Sequence, residues 1–155
     1  MQRTFFTAGL CAATCAALLV DRSRAQAAPP GGFSTADLHG NYAVAASGTA
    51  IISGAAHPMT EIATLIADGR GHLDTRGTIK VGEDVHDFSL PGCSYRVEPG
   101  GLGEIDCVVR GAHHQASIVL VQGGRAFRFM EARTQPPSAG EVTILLGSAE
   151  RQEAR

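Results

Sequence analysis

The segment from Cys93 to Cys107, CSYRVEPGGLGEIDC, constrains the fold more than any other part of the chain. Its two cysteines lie at equal distances from Gly100, inside a Pro-Gly-Gly turn, so a hairpin centred there places one cysteine opposite the other. The same register pairs Tyr95 with Ile105 on the cysteine face. On the other face it pairs Arg96 with Glu104 and Ser94 with Asp106. One face is therefore apolar, and the other carries opposite charges directly across the strands.

Because side chains alternate between faces, a slip of one residue would scramble both surfaces of this hairpin. The cysteines lack the CxxC-type spacing and the nearby ligands that a redox or metal site needs. We therefore predict a structural disulfide, Cys93–Cys107, which stabilises the fold by about 3 kcal/mol in the chain-entropy model.

The rest of the chain shows short alternating runs separated by glycine and no sustained helical period, which is typical of an all-β domain. Gly123-Gly124 predicts a two-residue turn that pairs Leu120 with Phe127 and Ile118 with Phe129. The other strands are predicted over residues 41–52, 61–67, 72–81, 85–97 (broken at Pro91-Gly92) and 140–151. About eight antiparallel strands favour a closed up-and-down barrel, with a two-sheet β-sandwich as the alternative.

The N-terminus has the features of a secretory signal peptide. Arg3 precedes an uncharged, mostly apolar run, and Ala25-Gln26-Ala27 has the form of a signal-peptidase site. We expect cleavage after Ala27, a disordered lead-in over residues 28–37 and a single barrel domain over 38–152. Two cysteines then remain in an oxidising compartment, so the predicted location is periplasmic or secreted, with no stable membrane span.

Loss of residues 1–27 removes three arginines and one aspartate, so the formal charge falls from −2 to about −4. A mildly acidic chain without a basic stripe argues against nucleic acid as a partner. The sequence leaves the oligomeric state open.

The histidines do not predict a metal site or a cofactor. His113 and His114 are adjacent, so on a strand they point to opposite faces. Asp84 and His86 share a face but supply two ligands, where zinc takes at least three from protein. No G-x-S-x-G motif is present, and the acid pair Glu104 and Asp106 falls on the outer face of the hairpin, so catalytic residues and an enzymatic role are not expected.

Several spaced elements resemble small secreted bacterial β-barrel proteins of uncharacterised function that are lipocalin-like in shape. These elements are Leu38-His39-Gly40-Asn41-Tyr42, Asp68-Gly69-Arg70-Gly71, Tyr95-Arg96-Val97, Gly100-Gly101-Leu102-Gly103, Gly123-Gly124 and the segment from Gly147 to Gln152. Lipocalins open with Gly-x-Trp and pack an arginine on that tryptophan. The resemblance implies that Tyr42 takes this position and closes the barrel, with Arg151 or Arg133 as its partner.

Two functions follow from a barrel of this size. In the first, the barrel binds a small, partly apolar ligand, lined by Tyr95, Ile105, Ile118, Leu120, Phe127 and Phe129, with His57 and Met59 in a loop at its mouth. In the second, it is a structural or interaction protein of the cell envelope with a filled interior and an outward apolar strip of Val119, Val121 and Met130. An interior volume of about 300 Å³ or more favours the first.

Overall fold

The computed structural model describes residues 31–109, 111–135 and 141–153, without the side chains of 132–135 and 141. Eight antiparallel strands form a closed barrel in which each strand pairs with its neighbour in sequence and the last pairs with the first. The predicted up-and-down barrel is confirmed. The strands are β1 His39–Ile52, β2 Ala55–Asp68, β3 His72–Val81, β4 Asp84–Val97, β5 Leu102–Val109, β6 Ala112–Val121, β7 Ala126–Gln135 and β8 Glu141–Arg151.

The first hairpin is longer than predicted. Ser53 and Gly54 form its turn, both with positive φ, and β2 starts directly after them. His57 and Met59 were expected in a mouth loop, but they lie within β2, paired with Ala50 and Gly48 of β1. Pro58, which has no N–H to donate, lies one residue before the pairing of β2 with β3 begins at Met59, and its carbonyl accepts a hydrogen bond from the Gly82 amide at 2.8 Å.

The hairpin of β4 and β5 has the predicted register, with Tyr95 opposite Ile105 and Arg96 opposite Glu104. Cys93 and Cys107 form a disulfide, with their Cα atoms 4.4 Å apart. The Arg96 guanidinium donates a hydrogen bond to a Glu104 carboxylate oxygen at 2.8 Å.

The break predicted at Pro91-Gly92 is a bulge in a continuous strand. Pairing of β3 with β4 passes from Leu73–Cys93 to Thr75–Leu90, which leaves Pro91 and Gly92 opposite one residue. That residue, Asp74, accepts a hydrogen bond from the Gly92 amide at 2.8 Å. The bulge thus removes proline from the ladder and keeps Cys93 on the inner face.

The turn between β6 and β7 corrects the two-residue prediction. The expected register, Leu120 with Phe127 and Ile118 with Phe129, is present. The connection, however, spans residues 122–125 and contains a single 3₁₀ turn, Gln122–Gly124. The longer turn folds over the barrel end, where a Cβ on Gly124 would collide with the Asp37 carbonyl oxygen.

Tyr42 closes this end of the barrel. Its ring is fully buried against Phe127, at 5.5 Å between centroids, and its hydroxyl donates to the Gly124 carbonyl at 2.7 Å. The Arg151 guanidinium lies 5.5 Å from the Tyr42 ring centre and donates to the carbonyls of Asp37 and Gly124. Arg151 is therefore a partner of Tyr42, while the side chain of Arg133 lies outside the described residues.

Residues preceding β1 also cover this end. A 3₁₀ turn, Thr35–Asp37, leads into the barrel, and Phe33 is buried with its amide bonded to the Pro99 carbonyl at 2.9 Å. The Tyr95 hydroxyl donates to the Leu38 carbonyl at 2.6 Å. From Phe33 onward the structure thus differs from the expected disordered lead-in, because an aromatic side chain finds a buried position. The predicted signal peptide, 1–27, lies outside the described residues.

In the described part of the chain, no helix is long and apolar enough to cross a membrane.

Candidate ligand-binding cavity

A cavity of about 380 Å³ occupies the half of the barrel away from Tyr42. Its floor is formed by apolar side chains that also belong to the core at the closed end, among them Leu65, Leu73 and Phe127. Its walls extend to Ile52 and Val81, at the strand ends on the opposite side, and Ile52 is 39% exposed. The interior of this half is hollow. The second function considered above, a structural or interaction protein of the cell envelope, predicted a filled interior.

The hollow follows from the sizes of the inward-facing side chains. Along β1 the inner positions are Tyr42 and Val44 near the closed end, then Ala46, Gly48 and Ala50 toward the cavity. Side chains of alternate residues share one face of a strand, so this order places large residues at one end and small residues at the other. Of these, Ala50 lines the cavity together with Ala116 of β6, and such small side chains leave the space that larger ones would fill. Gly48 instead allows a close approach of two strands, because a Cβ there would collide with the Ile144 carbonyl oxygen.

Three titratable side chains interrupt the mostly apolar lining: Glu61 of β2, His114 of β6 and Glu131 of β7. His114 Nδ1 lies 3.1 Å from a Glu131 carboxylate oxygen. This hydrogen bond raises the pKa of His114 despite the opposing effect of partial burial. The Glu131 carboxyl group therefore favours the protonated form of the His114 imidazole.

Glu61 lies in a different electrostatic setting. Burial, and secondly the negative charge of Glu131, raise the pKa of the Glu61 carboxyl to about 7. No group in the described residues donates a hydrogen bond to this carboxyl or forms an ion pair with it. The cavity thus holds an acid that changes its charge near neutral pH.

His113 lies on the outer face, with Nδ1 2.9 Å from an Asp106 carboxylate oxygen. The two adjacent histidines point to opposite sides of β6, as strand alternation predicted. No three potential metal-ligating side chains come together among the residues that the structure describes.

The eight sequence-predicted ligand contacts lie in three different places. Four line the cavity: Met59, Ile105, Phe127 and Phe129. Three are packed in the core that closes the other end: Tyr95, Ile118 and Leu120. His57 is half-buried and is absent from the cavity lining.

The sequence analysis did not identify the polar groups of the cavity, although the alternation of inward and outward residues along β2 and β6 would have indicated them. Glu61 shares its strand face with Met59 and Leu65, and His114 shares its face with Ile118 and Leu120. A polar residue at an inner position is unusual in a packed barrel, and the inner parity of β2 and β6 would have identified both residues.

Neither a known protein family nor any curated protein matches the chain in sequence. In structure, the chain is similar to an S-type phycobiliprotein lyase from Guillardia theta, with a TM-score of 0.50, 10% identity, and coverage of 78% of this chain and 92% of the other. A redesigned β-barrel matches with a TM-score of 0.44 and 14% identity over 82% of this chain and 100% of the other. The likeness to the lyase shows the fold alone: this chain forms a lipocalin-like β-barrel.

Proposed function

We propose that the protein binds one small, partly apolar molecule in the cavity of the barrel. The observation that carries this proposal is the volume of about 380 Å³, which lies within the range of small-molecule sites. Protein interiors are close-packed, and voids larger than a water molecule are few. A hollow of this size forfeits packing contacts, and a bound ligand would restore them.

The composition of the wall supports the same proposal. Ligand sites are mostly apolar, with a few polar groups that orient the ligand. Here leucine, isoleucine, valine and phenylalanine side chains surround the carboxylates of Glu61 and Glu131 and the imidazole of His114. The similar barrel from Guillardia theta is a lyase by name, but at 10% identity it transfers no substrate or residue role to this chain.

The proposed location is the periplasm or the extracellular medium. The paired cysteines Cys93 and Cys107 are compatible with an oxidising compartment, and the sequence pattern over residues 1–27 predicts export. The intact mass of protein isolated from its own periplasm or medium tests this. A chain that begins at Ala28 and lacks two hydrogens supports export, and a full-length chain with free thiols contradicts it.

Titration with N-phenyl-1-naphthylamine, an uncharged apolar dye that fluoresces in apolar surroundings, tests binding in the cavity. We expect saturable binding of one dye per barrel. Ala50→Phe, which places a ring in the cavity, should abolish it. The matched control is Ala45→Phe, on the outer face of the same strand, which should bind as the wild type does. Absence of binding to the wild type, or equal binding to both folded variants, would contradict the proposal.

A further inference from the structure

We infer that the ligand of this cavity has an apolar body and a cationic, hydrogen-bond-donating head such as a primary amine, which pairs with the Glu61 carboxylate. This inference rests on the proposed function and specifies the ligand class for the same site. The cavity supplies the space, and the arrangement of charges on its wall selects the head group.

The charges that face Glu61 come from two strands. Across the cavity, β6 presents His114 and β7 presents Glu131, and these two side chains form their own pair at 3.1 Å. The other lining residues in the described part of the chain are uncharged, including Thr75 and Ile79 of the adjacent β3. Because His114 and Glu131 pair with each other, Glu61 is the acid of the cavity wall that has no partner within the described ranges.

Ligands of different charge meet this wall differently. An anionic head would add a negative charge close to two carboxylates, which is repulsive in a site of low polarity. An uncharged apolar ligand would remove water from Glu61 and offer no compensating charge. An ammonium group would compensate the Glu61 carboxylate and donate hydrogen bonds to its acceptor-only oxygens. The cavity therefore discriminates in favour of the cation.

Protonation of Glu61 would make this discrimination depend on pH. Because burial raises the pKa of the Glu61 carboxyl to about 7, this group is mostly ionised at pH 8 and mostly protonated at pH 6. An ammonium ligand pairs with the ionised form only. Its affinity should accordingly decrease as the pH falls from 8 to 6, whereas the affinity of an uncharged ligand should not decrease.

Displacement of N-phenyl-1-naphthylamine by octylamine, 1-octanol and octanoate tests the inference, because the three compounds share an apolar chain and differ in the head. At pH 8 the wild type should bind octylamine about tenfold more tightly than 1-octanol, and octanoate most weakly. In Glu61→Gln the preference for octylamine should be lost. The matched control, Glu150→Gln, removes an exposed carboxylate from β8 and should retain it.

The outcomes separate the two proposals. If the wild type does not bind the dye, the cavity is not a binding site and the proposed function fails. If it binds the dye but prefers 1-octanol or octanoate, or if Glu61→Gln keeps the preference for octylamine, only the inference about the head group is overturned. Octylamine binding that weakens from pH 8 to pH 6 in the wild type, and not in Glu61→Gln, would support both.

Discussion

The two halves of this barrel are built from the same strands and differ in how they are filled. At the closed end, Tyr42, Phe127 and Leu38 are almost completely buried and belong to the same hydrophobic core. In the other half, small lining residues such as Ala50 and Ala116 leave a cavity of about 380 Å³. The contrast separates two tasks: one half supplies packing, and the other supplies space.

Polar groups follow the same division. At the closed end, the hydroxyls of Tyr42 and Tyr95 and the guanidinium of Arg151 all donate hydrogen bonds to backbone carbonyls. In the hollow half, Glu61 has no hydrogen-bond donor or ion-pair partner among the described residues, and its pKa is about 7. Satisfied polar groups rigidify a fold, whereas an uncompensated acid in a cavity is available to a ligand.

The largest expected effect is on the free energy of unfolding, when one phenylalanine in each half is replaced by alanine. Phe127→Ala should cost about 4 kcal/mol of unfolding free energy, because it removes a ring that is 1% exposed. Phe88→Ala should cost less than half as much, since Phe88 is half-buried at the cavity wall and already lacks packing partners on one side. Urea unfolding measures both values. Equal losses would contradict the division into a packed half and a hollow half.

The disulfide links the two halves, because Cys93 belongs to the closed-end core and Cys107 also lines the cavity. The double variant Cys93→Ala/Cys107→Ala should lose about 3 kcal/mol of stability, mainly through a less constrained unfolded chain. Urea unfolding with and without a reductant measures the loss. The unfolding free energy of the variant should not change when a reductant is added. If the unfolding free energy of the wild type also does not change under conditions that reduce the bond, the disulfide does not stabilise the fold.

A smaller, pH-dependent effect is expected in the hollow half. Glu61 has a raised pKa in the folded protein, so the folded state holds this proton more tightly than the unfolded chain does. The resulting stabilisation is complete below the ordinary glutamate pKa of 4.5 and is lost as the pH rises through about 7. At pH 8, Glu61→Gln should therefore be more stable than the wild type by about 2 kcal/mol, a figure reduced for the partial exposure of the side chain.

Unfolding free energies measured from pH 5 to pH 8 test this expectation. The advantage of Glu61→Gln should shrink as the pH falls and be smallest at pH 5. Glu150→Gln, at an exposed position, should show no such trend. A Glu61→Gln advantage that is constant with pH would show that Glu61 titrates normally.

The packed half was largely predictable from sequence, because its determinants are local. The Pro-Gly-Gly turn and the spacing of the cysteines gave the register of β4 and β5, and glycine positions gave the pairing of Leu120 with Phe127. The length of the turn at Gln122–Gly124 was not predictable, since it depends on contact with Asp37, which is distant in sequence.

The cavity could be predicted only in part. Met59, Ile105 and Phe129 were predicted as ligand contacts, and they line the cavity. Tyr95 and Ile118 were also predicted to line it; they do point into the barrel, but they lie in the packed core at the closed end. Alternation determines which face a side chain occupies and not its distance from the closed end. That distance depends on the stagger of the strands around the barrel, which a single sequence does not display.

Methyl NMR of the wild type during titration with octylamine tests the central claim most directly. The methyl signals of Met59, Ile79 and Val81 report on the hollow half, and those of Leu38 and Leu120 report on the closed end. We predict saturable shifts confined to the first group, with the second group unchanged. Shifts spread equally over both groups, or confined to the closed end, would contradict a barrel that is packed in one half and binds its ligand in the other.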